Sequence, residues 1–299
     1  MATPKPYQNT TPMKKMRVAI CLYGQPRTAL YCAPWIHETF SFMPTLPTRL
    51  WHPRRLSGEV DCMEREFEID YFCDIKSRSD SGHTIGGRTT NNTSTELHKI
   101  REIYKPKKYT LTPSVIDDEI LKTGPFYTTM YSSICRAVQL KQLYESEENF
   151  IYDWVFVSRY DTLVGPNVDS LKKYVQINGV QPLTIYGIGG EQTRFMFESF
   201  RAGPNDFMWW GDSFAVDTLC AKLLETWATN NPIEDLRAVY HLGPNTTLAI
   251  SLCDSGLVYQ PVPFAVCLVR GTAELSIPVF DSFDYHARFW VNNHPALKQ

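Results

Sequence analysis

The sequence lacks three features that would each define a class of protein: a Cys-x-x-Cys pair, a long apolar run and a strong charge imbalance. Without a Cys-x-x-Cys pair among its eight cysteines, zinc ribbons and thioredoxin-type redox motifs are not expected. No segment approaches the roughly 20 apolar residues that a membrane-spanning helix needs. The net charge of -2 over 299 residues provides no footprint for nucleic acid or for an anionic membrane. We therefore expect no nucleic-acid partner and no transmembrane segment.

We also expect no targeting segment at the start of this sequence. Residues 1–15 are rich in Pro and Thr and contain no apolar stretch typical of signal peptides, so we expect a disordered tail. Several cysteines, including Cys21, Cys73, Cys220 and Cys267, lie inside apolar runs, where free cysteine packs as a small hydrophobic side chain. These features together favour a reducing, cytoplasmic compartment.

Apolar runs typical of buried strands alternate along the chain with amphipathic stretches typical of helices. Strands are predicted at 16–24, 67–76, 107–112, 154–157, 183–188 and 207–211, with a closing strand pair at 257–270. Helices are predicted at 28–40, 95–104, 129–147, 216–227 and 241–256. The segments 43–62 and 77–95 have little periodicity and are predicted to be loops. This alternation predicts an α/β fold with a central sheet flanked by helices.

The first predicted strand ends in the sequence YGQPRT, residues 23–28. A plain turn explains Gly24 and Pro26, since glycine adopts positive φ and proline suits the start of a helix. Arg27 is harder to explain in this way, because a cation at a helix N-terminus opposes the helix dipole. A bound phosphate would remove that conflict. Arg27 and its neighbours are therefore candidate binding residues, with a plain turn as the alternative.

The strand predicted at 154–157 ends in Arg159 and Asp161 instead of the small residues of an ordinary turn. A surface ion pair is the simple alternative, but the four preceding apolar residues place the pair at the mouth of a buried strand. A carboxylate in that position can hold Mg²⁺ or Mn²⁺, and an arginine can bind phosphate oxygens with two hydrogen bonds. Because Asp161 is expected to face solvent, its replacement should change stability little.

Several stretches, taken in order, resemble a group of GT-A-type glycosyltransferases that occur in large DNA viruses, algae and bacteria. They are RVAICLYGQPRT, IDYFCDI, MYSSICRAVQLKQLYESEENFIYDWVFVSRYDT, GPNDFMWWGDS and VCLVRG. The resemblance covers most of residues 16–270 and leaves 271–299 as a C-terminal extension packed on that domain. It implies a single Rossmann-related, GT-A-like domain with a mixed, mostly parallel sheet. It also implies a nucleotide-diphosphate sugar as donor, and the cytoplasm of the host cell if the chain is viral.

In GT-A enzymes an Asp-x-Asp motif at the end of a central strand holds a divalent ion, Mn²⁺ or Mg²⁺, against the donor's diphosphate. The matching residues here are Arg159-Tyr160-Asp161, so an arginine replaces the first aspartate. The resemblance therefore leaves Asp161 as the metal ligand and implies that Arg159 supplies positive charge that the metal of the missing carboxylate would have supplied. It also implies that Tyr23, Gly24, Gln25 and Arg27 line the nucleotide side of the site.

The stretch GPNDFMWWGD contains two candidates for the catalytic base of glycosyl transfer. Asp206 is preferred, because it matches an Asn-Asp pair in the family. Asp212 is the second candidate, although its position is also typical of a helix N-cap. Ser132, Ser133 and Arg136 are candidate donor contacts, with a solvent-exposed helix face as their alternative reading.

Three further aromatic residues have both a functional and a structural interpretation. A late histidine completes the metal site in many GT-A enzymes, which makes His241 a candidate ligand; a structural histidine is the alternative. Trp209 and Trp210 are suited to stack on a sugar ring, although core packing is expected for at least one of them.

The function predicted from the sequence is transfer of a sugar from a nucleotide donor to a hydroxyl of a glycan or glycoconjugate, assisted by a divalent metal. Two alternatives stay open. A sugar nucleotidyltransferase would need a more glycine-rich loop after its first strand than YGQPRTAL provides. A non-catalytic nucleotide-sugar or glycan-binding module would account for the arginine at Arg159. The sugar, the acceptor, the stereochemical outcome and the oligomeric state stay open as well.

Overall fold

A seven-stranded sheet forms the centre of the molecule in the computed structural model. The structure describes residues 16–26, 29–41, 48–49, 62–63, 67–80, 89–91, 94–123, 128–164, 180–188, 206–228, 244–262, 266–271 and 278–282. The strands are β1 (Met16–Tyr23), β2 (Thr48–Arg49), β3 (Cys62–Met63), β4 (Phe67–Lys76), β5 (Arg78–Asp80), β6 (Thr89–Asn91), β7 (Lys108–Thr112), β8 (Trp154–Arg159), β9 (Thr162–Val164), β10 (Thr184–Ile188), β11 (Met208–Gly211), β12 (Val258–Val262), β13 (Val266–Gly271) and β14 (Pro278–Ser282). The helices are α1 (Ala29–Ser41), α2 (Ser94–Tyr104), α3 (Ser114–Thr123), α4 (Thr128–Glu148), α5 (Ser213–Ala228) and α6 (Pro244–Asp254).

The strand order of the central sheet is β12-β10-β11-β8-β1-β4-β7. Every neighbouring pair is parallel except those of β11, which runs antiparallel to both β8 and β10. The prediction of an α/β fold with a mixed, mostly parallel central sheet flanked by helices is confirmed. β1 and β8 lie side by side in the middle of this sheet and point their carboxyl ends at the same edge.

Both faces of the central strands are covered, which is why their sequences are continuously apolar. Alternate residues of β1 point to opposite faces. Val18 and Ile20 pack in one core with helix α1, while Ala19 and Cys21 pack in a second core with α4 and α5. Cys73 is also buried in the first core, as its apolar setting predicted. Of the described helices, none is both long and apolar enough to cross a membrane.

A buried lysine ties α4 to α5 beneath the sheet. The side chain of Lys141 is fully buried, and its Nζ lies 2.8 Å from Asp217 Oδ1 and 2.9 Å from Glu145 Oε2. Ser213 Oγ donates a hydrogen bond of 2.8 Å to Glu145 Oε1, which also accepts one from the backbone amide of Tyr152. The charged group therefore joins both helices and the segment that leads into β8.

We expect Lys141→Met to destabilise the protein by about 3–5 kcal/mol, because it leaves two largely buried carboxylates without their cation. Lys222→Met is the matched control, since Lys222 lies on the same helix as Asp217 and pairs with the exposed Glu225. Urea unfolding of both variants is the measurement, and the control should unfold like the wild type. Equal unfolding midpoints for the two variants would show that the network contributes nothing.

Three segments differ from the predictions made from the sequence. The predicted loop at 43–62 contains β2, which forms an antiparallel pair with β3 at the end of this segment. Residues 77–95 are not a simple loop, since β5 and β6 form an antiparallel pair within them. The predicted strand pair at 257–270 is also wrong, because β12 joins the central sheet beside β10 while β13 pairs with β9 and β14. β5 and β6 are short and polar, so they give no strand pattern. β12 pairs with β10, which is distant in the sequence, so its place in the sheet has no local signal.

Helix α3 and the short strands β9 and β14 were not predicted. α3, SVIDDEILKT, is only ten residues long and β9 only three, so both give weak periodic signals. β14 lies within the predicted C-terminal extension and pairs with β13. The domain boundaries at 15 and 270 stay predictions.

Candidate functional site

Four residues predicted from the sequence to have functional roles come together at the carboxyl edge of the central sheet. The register of β1 and β8 places Tyr23 opposite Arg159. β11 runs in the opposite direction beside β8, with Met208 opposite Ser158, so the residues just before β11 lie at the same edge. This brings Asp206 next to the ends of β1 and β8, and Asp161 follows β8 by two residues. Ligands bind at this edge in open α/β sheets.

Arg159 links two carboxylates at this edge. Its Nε and Nη2 donate hydrogen bonds to Asp161 Oδ1 and Oδ2, at 2.8 and 2.9 Å. Its Nη1 lies 3.5 Å from Asp206 Oδ2. The backbone amide of Arg159 also donates to the Phe207 carbonyl oxygen, at 3.1 Å, which fixes the end of β8 against the start of β11. A two-point contact to Asp161 and a single longer contact to Asp206 therefore define the position of the guanidinium.

This cluster is largely buried, which corrects the expectation that Asp161 faces solvent. Asp161 is only 2% exposed, and the Arg159 side chain is 17% exposed. Burial by itself lowers the pKa of the Arg159 guanidinium, but the charge and hydrogen bonds of Asp161 and the charge of Asp206 raise it above its ordinary value. Arg159 is therefore a permanent cation, and the surface ion pair considered from the sequence does not describe this site.

Tyr23 connects the last residue of β1 to the start of β11. Its hydroxyl donates a hydrogen bond to the backbone carbonyl oxygen of Asp206. Burial, followed by the negative charge of Asp206, raises the pKa of the Tyr23 hydroxyl well above its ordinary value. Tyr23 is thus a neutral donor that holds the Asp206 backbone, and its side chain is almost completely buried.

The turn after β1 depends on glycine and on a serine of α4. Gly24 has a φ of 95°, a conformation that L side chains rarely adopt. Its amide donates a hydrogen bond of 2.9 Å to Ser133 Oγ, which in turn donates to Asp74. Gln25 is half-buried, and Arg27 lies outside the described residues. Since Ser133 is fully buried, the solvent-exposed alternative considered for this residue is wrong.

Asp74 is a residue of this region that the sequence analysis missed. It lies near the carboxyl end of β4, is fully buried, and accepts hydrogen bonds from Thr112 Oγ1 and Ser133 Oγ. Arg136 Nε and Nη2 also donate to its two oxygens, each at 3.1 Å. The strand FEIDYFCDIK contains four charged residues, Glu68, Asp70, Asp74 and Lys76, so its sequence gave no signal that distinguishes Asp74. Asp74 fixes the positions of both Ser133 and Arg136.

Asp212 has the structural role that was its alternative in the sequence analysis. Its Oδ1 accepts a hydrogen bond of 2.6 Å from the Ala215 amide, which caps α5. Its Oδ2 accepts one of 3.1 Å from the amide of Leu183. Both oxygens of this carboxylate therefore bind backbone groups away from the Arg159 cluster.

Trp209 and Trp210 are both completely buried, so neither side chain is placed to stack on a sugar. Trp210 packs against Phe156, with ring centroids 5.6 Å apart, and against Tyr186, with centroids 5.7 Å apart. Trp209 belongs to the core on the other face of the sheet. Because these tryptophans sit on a strand covered on both sides, core packing accounts for both of them.

The described residues do not present Asp161 as a ligand for a divalent ion. Both of its oxygens are bound by Arg159, whose charge already neutralises the carboxylate. Across the part of the chain that the structure describes, no group of three or more His, Cys, Asp or Glu residues is arranged to hold a metal. His241, the second predicted ligand, lies outside that part. The fit of Mg²⁺ or Mn²⁺ to Asp161 therefore fails in this arrangement.

No family model matches the chain, and no curated protein matches its sequence. The chain is similar in structure to mouse xyloside xylosyltransferase 1 in its apo form, with 9% identity, a TM-score of 0.38, and 83% of this chain and 84% of that chain covered. It is also similar to the galactosyltransferase LgtC in complex with donor and acceptor sugar analogues, with 11% identity, a TM-score of 0.35, and 82% and 73% covered. At these TM-scores and identities, the similarity does not indicate what this chain does.

Proposed function

We propose that this protein is a glycosyltransferase that moves a sugar from a nucleotide-diphosphate donor to a hydroxyl of a glycan or glycoconjugate. The observation that carries the proposal is the buried cluster of Tyr23, Arg159, Asp161 and Asp206 at the carboxyl ends of β1 and β8. This edge is where α/β sheets bind nucleotides. The resemblance in sequence order supports the same reaction class.

In the proposed reaction, Asp206 accepts the proton of the acceptor hydroxyl. The acceptor oxygen then bonds to the anomeric carbon of the donor sugar. The bond from that carbon to the diphosphate oxygen breaks, and its electron pair leaves with the nucleoside diphosphate. The Asp206 carboxylate suits the role of base because Tyr23 and Arg159 hold its backbone and its side chain in place.

The proposal places the donor's nucleotide beside the turn that follows β1. Gly24 and Gln25 lie in this turn, and α1 begins at Ala29, so the positive end of a 13-residue helix faces the same place. Arg27 lies between them in the sequence, and its role as a phosphate contact stays a prediction. Arg136, on helix α4, is held by Asp74 of β4. Its contact with the donor also stays a prediction.

The divalent ion expected from the sequence resemblance has no step in this proposal. Mn²⁺ or Mg²⁺ would supply positive charge to the departing diphosphate when bound. Asp161, its expected ligand, is occupied by Arg159. A metal contact by His241 stays a prediction.

A thermal-shift screen with uridine, guanosine and adenosine diphosphates and their sugar conjugates tests the proposed function. A ligand at 100 times its dissociation constant should stabilise the protein by roughly 2.7 kcal/mol. The donor found in this way should then be hydrolysed slowly, or transferred to an added glycan acceptor.

Other outcomes would favour the alternative functions. Stabilisation without any turnover would favour the non-catalytic binding module, which would also account for the arginine at Arg159. Pyrophosphate release from a nucleoside triphosphate and a sugar 1-phosphate would identify a nucleotidyltransferase. No response to any nucleotide or nucleotide sugar would contradict the glycosyltransferase and the nucleotidyltransferase, and would leave a glycan-binding module as the alternative.

A further inference from the structure

We propose that Asp161 is a positioning residue, which holds the Arg159 guanidinium so that Arg159 in turn orients the carboxylate of Asp206. The proposal deepens the glycosyl transfer proposed above and rests on it. It gives Asp161 a role other than binding a metal ion.

The contacts form a directed chain from Asp161 to Asp206. Asp161 takes two of the guanidinium nitrogens of Arg159, at 2.8 and 2.9 Å, and so fixes the plane of that group. The third nitrogen, Nη1, is left pointing at Asp206 Oδ2, 3.5 Å away. Asp161 therefore determines where Arg159 Nη1 lies, and Arg159 Nη1 determines where the Asp206 carboxylate is held.

The surroundings support a positioning role over a free binding role for Asp161. Asp161 is 2% exposed, whereas the Arg159 side chain is 17% exposed, so the guanidinium is the more accessible partner. Tyr23 at the end of β1 and Arg159 at the end of β8 both lie next to Asp206. Arg159 is the cation among them, and it faces two carboxylates.

This arrangement makes Arg159 the group that holds the side chain of Asp206 in place. If Asp206 is the base, misplacing its carboxylate slows the chemical step and lowers kcat, while donor binding and KM change little. A residue that only stabilised the fold would not produce this split between kcat and KM.

A double-mutant cycle on Arg159 and Asp161 tests the proposal. Arg159→Gln, Asp161→Asn and the combined variant are compared with the wild type for kcat and KM of transfer. The combined variant removes both charges of the pair with similar side-chain volumes, so it should fold even if a single variant does not. Calorimetric titration with Mn²⁺, in the presence of the nucleoside diphosphate, gives a second readout that does not depend on activity.

We expect each single variant to lower kcat/KM by about 10²-fold, the cost of misplacing a reacting group. The combined variant should lose about the same 10²-fold, because Asp161 acts through Arg159 and has nothing to hold once Arg159 is gone. The loss should fall on kcat in all three variants, with KM for the donor close to that of the wild type. Mn²⁺ affinity should be the same for wild type and Asp161→Asn.

Two results would overturn the proposal. Losses that multiply in the combined variant, to about 10⁴-fold, would show that Asp161 and Arg159 act independently. A Mn²⁺ affinity that falls in Asp161→Asn would make Asp161 a metal ligand. A wild-type protein without transfer or donor hydrolysis would instead contradict the proposed function, and the Mn²⁺ titration would still report on Asp161.

Discussion

Asp206→Asn should lower turnover by about 10²- to 10⁴-fold, the range that a positioned base contributes, while donor affinity changes little. The amide keeps the shape of the carboxylate but does not accept a proton at neutral pH. Tyr23 binds the backbone of Asp206 and not its side chain, so this contact should survive the substitution. Single-turnover kinetics and donor titration calorimetry, made on the same preparation, measure the two quantities separately.

Asp212→Asn is the matched control for this prediction. Asp212 lies six residues further along the chain and caps α5, and asparagine caps a helix about as well as aspartate. The control should therefore keep turnover close to that of the wild type, while stability falls by about 0.5–1.5 kcal/mol because asparagine has only one acceptor oxygen and loses the hydrogen bond from Leu183. If Asp212→Asn proves the more damaging change for turnover, the two roles are reversed and Asp206 is not the base.

The second large effect is on stability, and it concerns Asp161. Asp161→Ala should destabilise the protein by about 3–5 kcal/mol, because it leaves the largely buried guanidinium of Arg159 without its two-point partner. The residual contact to Asp206, at 3.5 Å, is too long to replace the lost pair. Urea unfolding measures the change, with the exposed Asp118 on α3 replaced by Ala as the control.

The exposed Asp118 is the control for the buried Asp161. Asp118→Ala should unfold at the wild-type midpoint, since surface substitutions of this kind have small effects. An equally small effect of Asp161→Ala would mean that the carboxylate is solvated and that Arg159 does not depend on it. That result would support the solvent-exposed position of Asp161 that was expected from the sequence.

Part of this site could be named from the sequence because the relevant signals are local. The apolar runs around Val18 and Val155 mark strands buried on both faces, and the charges that follow such a run stand out. Tyr23, Arg159 and Asp206 were named in this way or through resemblance. Helix spacing likewise located α4 and α5 to within a few residues.

The tertiary structure alone decided which of these residues meet and how deeply they are buried. β11 brings Asp206 to Arg159 across 47 residues of chain, and β4 brings Asp74 to Ser133 across 59. Trp210 is enclosed because Phe156 and Tyr186 come from two other strands. Periodicity reports only which face of an element is apolar, whereas pairing between distant strands sets partners and burial. The sequence therefore determined the strands of the central sheet and most of the candidate residues, while long-range packing decided that Asp161 is a buried partner of Arg159.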